Sequence, residues 1–188
     1  MIRNLSLAAL AAALIAPNAG AQVNSRTAGK AGVSDSLFAL AAADGGLAEV
    51  MISELGVQKA TDPELKKFSQ HMVESHTKMN AELMALATQK GVTLPRTVSP
   101  GHQFCAQSLA SLSGEEFDRC YAKAQAVLHM DTVSKFEAEA ERGQDPDVKA
   151  LAAKSLPHIK EHLKMIKPIA MRYESEKPST AGAAPDRR

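Results

Sequence analysis

From about residue 34 to residue 173 the apolar positions return every three or four residues, the spacing of helices that bury one face. A first helix is predicted from Ser34–Ser36 to about Lys59, with Asp44-Gly45-Gly46 as a weak point suited to a kink or a close helix approach. A second starts with Asp62 as cap and Pro63 at its first position. It carries a stripe of Leu65, Phe68, Met72, Met79, Leu83 and Leu86 and stops at Gly91. A third opens on the S-x-x-E pattern of Ser113 to Glu116, the form of a capping box, and runs through Tyr121, Leu128, Thr132 and Phe136 to Arg142 and Gly143. The fourth repeats the opening of the second: "DPELKKFSQ" at 62–70 matches "DPDVKALAA" at 145–153, as two hairpins of common design would. Pro157 falls inside this fourth helix and is expected to kink it near Ala153.

Between the hairpins, "GVTLPRTVSPGHQFCAQSLASLSG" is far longer than the 2 to 8 residues that join neighbouring helices. It is predicted both to cross the length of the bundle and to fold a short extra helix over Gln103 to Leu112. The expected fold class is therefore all-α, an antiparallel four-helix bundle over residues 34–173 with a long crossover.

The ends read differently. Residues 1–21 combine Arg3, the apolar run "LSLAALAAALIA" and a final Ala19-Gly20-Ala21 of A-x-A form, the pattern of a signal peptide and its cleavage site. Residues 22–33, rich in Gly, Ser and Asn, are expected to be mobile, and the tail 174–188 to be disordered. No stretch after residue 21 reads as a membrane anchor. Losing residues 1–21 removes one cation and leaves 21 Lys and Arg against 21 Asp and Glu, a balance that argues against nucleic acid as a partner. Without Trp, and with two Tyr and five Phe, the core filling must be mostly aliphatic.

"GGLAEV", "TDPELKKFSQHMVESHTKMNAEL", "QKGVTLP" and "SLPHIKEHL", in this order and spacing, resemble a bacterial family of exported, ferritin-like four-helix domains of unknown function, often labelled predicted outer membrane proteins. The resemblance covers about residues 35–170. It implies a ferritin-like fold, export to the periplasm or attachment at the outer membrane, and recurrent acidic and histidine positions at Glu49, His76, His129 and His162. The chain departs from di-iron ferritins, because Val73 and Ile159 stand where an E-x-x-H motif on the second or fourth helix needs Glu.

"LPHIKEHLKMI" also spells H-x-x-E-H through His158, Glu161 and His162, the pattern of an inverted zinc protease. Such a site needs a further carboxylate on a later helix, and only Glu174 and Glu176 follow, at the start of the tail. His162 instead shares a face with Ile159, Ile166 and Ile169 and points to the core. His76 lies among Met72, Met79 and Leu83, His129 beside Thr132 and Phe136, and Glu49 beside Ala42, Gly45, Ile52 and Gly56. Glu49 lies 13 residues before Asp62 and His76 14 after it; His129 lies 16 before Asp145 and His162 17 after it. At about 1.5 Å per residue, all four fall near mid-bundle and within about one turn of one level.

Two readings stand side by side. One is a site for a single transition metal, Zn, Fe, Mn or Cu, held by Glu49, His76, His129 and His162; the other is a structural polar layer in an envelope interaction module. Met72, Met79, Met130 and Met165 offer thioethers for a b-type haem, with core packing as their simpler role. His71, Glu54 and His158 lie towards helix edges, Glu54 being the substitute if Glu49 faces outward, and His102 is in the crossover. Cys105 and Cys120, placed eight before and seven after Ser113, are expected to form a disulfide if the short helix folds back. No reaction is defined by these residues, no catalytic residue is assigned, and a homo-oligomer is compatible with the pattern.

Overall fold

The computed structural model describes residues 30–175. Five helices follow in order: α1 (Val33–Lys59), α2 (Pro63–Lys90), α3 (Pro100–Ala110), α4 (Gly114–Arg142) and α5 (Pro146–Ser175). The four long ones are the predicted bundle, and α3 is the extra helix, starting three residues earlier than its sequence suggests. The expected signal peptide, most of residues 22–33 and all but the first two residues of the tail lie outside the described residues. Glu174 and Ser175 are helical, the last residues of α5.

The two Asp-Pro starts work as their sequence predicts. Asp62 Oδ1 accepts from the Glu64 amide at 2.7 Å, and Asp145 Oδ1 from the amides of Asp147 and Val148 at 2.9 and 3.1 Å. Each cap also has a second use that sequence alone does not reveal. The free oxygen of Asp62 holds Arg172 in the last turn of α5, and that of Asp145 holds Lys90, the last residue of α2, at 2.7 Å. The start of each hairpin's second helix is thus clamped to the end of the other's. Gly91 closes α2 in the left-handed conformation, φ 69°. Ser113 makes no capping hydrogen bond, so the expected capping box is not formed; Gly114 enters α4 at φ 58° from an extended Ser113.

α1 packs on α2, α2 on α5, α5 on α4 and α4 on α1. Asp35 in the first turn of α1 accepts from the amides of Gln144 and Asp145 at the α4–α5 turn. At the other end Asp118 of α4 accepts from the amides of Thr61 and Asp62 at the α1–α2 turn. These contacts make every neighbouring pair antiparallel. The crossover leaves α2 at one end and enters α4 at the other. On the way α3 lies along α1, from Asp44, which binds the Ser99 amide at 2.6 Å, to Lys59, which donates to the Ala110 carbonyl at 2.6 Å.

α5 stays helical through Pro157 and Pro168. Pro157 deprives the Ala153 carbonyl of its donor, but Ala153 and Pro157 are both on the exposed face, where water can take the donor's place. α1 is long and apolar enough, by length and composition, to cross a membrane, contrary to the expectation that no later stretch would be. In the structure it is a bundle helix that buries Asp35 and Glu49 along with its apolar face. The Cys105–Cys120 bridge is likewise not formed: both are free thiols. Cys105 is half-buried against the core, whereas Cys120 projects to solvent from α4, so the two side chains serve opposite surroundings.

One apolar cluster, built on Leu65, Phe68, Met72, Phe117, Tyr121 and Ile166, fills the end near the α1–α2 turn. A second, built on Phe38, Phe136, Val148 and Ile159, fills the opposite end. Buried Glu49, Ser53, His76, Gln125, His129 and His162 lie at the levels between the two.

Candidate metal centre

Each of α2, α4 and α5 contributes one imidazole to this layer. His76, His129 and His162 are 3 %, 0 % and 2 % exposed, and their ring centroids are 5.2 to 5.6 Å apart. One nitrogen from each lies within 4.8 Å of the other two. A tetrahedral ion bound at 2.0–2.1 Å to each would need them about 3.4 Å apart, a side-chain movement on the order of 1 Å. Three buried histidines placed this way could hold a metal.

Two of the three rings have a partner for their second nitrogen. His129 Nδ1 donates to the Gln125 carbonyl, one turn back, at 2.9 Å, which leaves Nε2 as the lone pair. His162 Nε2 is 3.1 Å from Ser75 Oγ; with that nitrogen as donor, Nδ1 keeps its lone pair. What remains is notable in chemical terms: His76 Nε2, His129 Nε2 and His162 Nδ1 are all buried without a hydrogen-bond partner. An orphaned buried donor or acceptor costs about 1–3 kcal/mol, so a purely structural layer would be carrying three such costs at one level.

Electrostatics keep the lone pairs free. Burial, and then the neighbouring imidazoles, push His76 well below the usual histidine range. Burial pushes His129 down to about 4, the Gln125 carbonyl working against it, and pushes His162 down to about 3, helped by His129, His71 and His158. All three rings are neutral at pH 7. Burial also pushes Glu49 up to about 8, so its carboxyl is protonated there.

Glu49 does not join the triangle. Its Oε1 lies 3.3 Å from His129 Nδ1, behind the ring and on the side away from the shared lone pairs. The expected four-ligand set is therefore three histidines with a carboxyl at the back of one of them; with both groups neutral, that contact is no ion pair. Glu54, His71 and His158 are exposed, as expected from their edge positions, and so is Glu161. H-x-x-E-H is split by the helix, one histidine inward and the other two groups outward. His102 pairs with Asp44 at 3.0 Å. Met130 and Met165 are 50 % and 38 % exposed, which removes them as haem ligands, and Met72 packs in the first apolar cluster.

Sequence reasoning missed Ser75 and Gln125, the residues that set the tautomers. The available signal was position: Ser75 adjoins His76, and Gln125 stands four before His129 on the same helical face.

Fold and site together define an all-α, ferritin-like bundle with a buried three-histidine layer. The chain belongs to the family described as Domain of unknown function (DUF4142), which matches residues 20–169. A crystal structure of a DUF305 fragment from Deinococcus radiodurans is similar in fold, with TM-score 0.67 and 12 % identity, over 76 % of this chain and 99 % of that one. No curated protein matches.

Proposed function

We propose that this protein holds one transition-metal ion in its bundle core through His76, His129 and His162, and that it does so outside the inner membrane. The observation that carries the reading is a layer of three buried, neutral imidazoles that bring one nitrogen each within 4.8 Å of the others and leave one nitrogen each without a hydrogen-bond partner. Imidazole suits Zn, Cu, Fe or Ni and offers nothing to Mg or Ca; with Glu49 behind His129, little favours Mn. The signal-peptide pattern of residues 1–21 supports export.

Holding, rather than turnover, is what the space allows. The cavity beside the site, lined by Gly46, Glu49, His76, Thr132 and Phe136, measures about 20 Å³. That is room for about one water beside His76. Glu49, protonated when the layer is empty of charge, is placed to become the counter-charge when a cation enters.

The test is metal content. Mature protein from residue 22, dialysed against Zn²⁺ or Co²⁺ and then against buffer, should retain one ion per chain, and His129→Ala should retain none. A wild-type protein that keeps no ion, or a His129→Ala protein that keeps it, would reject the site. N-terminal sequencing of the secreted product should begin at Gln22.

A further inference from the structure

A deep site needs a way in, and the surface above this one is not uniform. A cleft of about 270 Å³ opens between α2 and α5, lined by His71, Glu74, Ser75, Glu82, Ser155 and His158, among others. Its lining includes Ser75, whose hydroxyl is 3.1 Å from His162 Nε2. On its rim, exposed His71 sets its ring perpendicular to that of buried His162, with centroids 5.3 Å apart. His71 lies one turn before Ser75 on α2, and His158 one turn before His162 on α5, so two exposed imidazoles stand on the two helices between which His162 is buried.

The cleft and the inner cavity also share walls. Met79 and Ser155 line both, and the inner one contains His76. Met79 is unbranched and half-buried, a side chain able to change rotamer without disturbing the backbone. Across the cleft, Lys154 of α5 is bound to Glu82 of α2 at 2.7 Å, which ties the two helices together within its lining.

From this arrangement we infer that the α2–α5 cleft is the port through which a transition-metal ion reaches the core, with His71 and His158 as its capture ligands. The inference rests on the three-histidine site proposed above. An aquated divalent cation would exchange water for exposed imidazole at His71 or His158, in a lining where Glu74 and Glu82 balance Lys78 and Lys154. It would then pass by Ser75 and Met79, whose hydroxyl-to-sulfur contact of 3.9 Å would have to open, to His162 and His76. Every step is ligand exchange, with no change in oxidation state. The capture residues are not part of the final coordination, so they set the rate in both directions and leave the end states alone.

Co²⁺ uptake followed by stopped-flow absorbance tests this. The double variant His71→Ala/His158→Ala should take up and release Co²⁺ about tenfold more slowly or worse, with the same stoichiometry and the same equilibrium affinity as wild type. His102→Ala, a histidine removed elsewhere on the surface, should leave both rates unchanged. Unaltered rates in the double variant would overturn the port. So would a weakened affinity at an unaltered uptake rate, which would make His71 or His158 a ligand of the bound ion. A wild-type protein that takes up no Co²⁺, Zn²⁺ or Cu²⁺ at all would instead reject the site itself, a result distinct from either.

Discussion

Replacing His76 by leucine should change stability in opposite directions with and without metal. His76 Nε2 is buried and unpartnered, and its ring packs against those of His129 and His162 within the layer. Leucine fills a similar volume and removes the orphaned polar atom, whose burial costs about 1–3 kcal/mol. Metal-free His76→Leu should therefore be as stable as wild type or up to about 1 kcal/mol more so, some packing being lost; for a domain of this size that is a rise of about 2–4 °C in Tm. In metal the comparison reverses. At a free ion concentration of about 100 Kd, binding stabilises wild type by about 2.7 kcal/mol, and the variant lacks that gain. With the metal-free gain of up to about 1 kcal/mol set against that loss, its Tm should then lie about 3–11 °C below that of wild type. Differential scanning calorimetry of both proteins, with chelator and with Zn²⁺, measures all four values. A loss of more than 1 kcal/mol in chelator, unchanged by Zn²⁺, would show that His76 is a partner in a structural polar layer, and the metal reading would fall.

The metal-free bundle should be most stable near pH 6.5. His129, His162 and His76 bind protons in the unfolded chain near 6.5 but in the folded one only well below it, so their contribution is present above 6.5 and lost as pH falls. Glu49 and Glu139, raised by burial to about 8 and about 7 from 4.5, act oppositely: their contribution is lost as pH rises towards those values. Between 4.5 and 6.5 the balance is three protons on the unfolded chain against two on the folded one, so stability climbs by about 1.4 kcal/mol per unit; above 6.5 it declines. Urea unfolding across pH 5 to 8.5 should trace that maximum, Glu49→Gln should flatten the alkaline side, and a steady rise to pH 8 would contradict the burial of these carboxyls. Two glycines of α1 should also part company. A Cβ at Gly56 would stand 2.2 Å from Ser69 Oγ and 2.6 Å from the Tyr121 ring, groups already bonded to each other in the core, so Gly56→Ala should cost about 1–3 kcal/mol or more. Gly45 has open space, and Gly45→Ala should gain about 0.5–1 kcal/mol in the same assay.

What the sequence determined by itself is everything local to a helix. Asp62-Pro63 and Asp145-Pro146 set where α2 and α5 begin because a cap needs only its own next three amides, and Gly91 ends α2 because only the last turn is involved. Counting from those caps also placed His76, His129 and His162 at one level, since the rise per residue is fixed by the backbone. Tertiary structure decided what depends on the rotation of each helix about its axis, where one residue is about 100°. Four packed helices set that rotation jointly. It turned Glu49 to the back of His129, pointed Cys105 inward and Cys120 outward, and chose which nitrogen of each imidazole meets Ser75 or the Gln125 carbonyl and which faces the centre. The same packing joined Asp62 to Arg172 and Asp145 to Lys90. These partners are about 110 and 55 residues apart, and no periodicity along a single chain encodes which helix ends will meet.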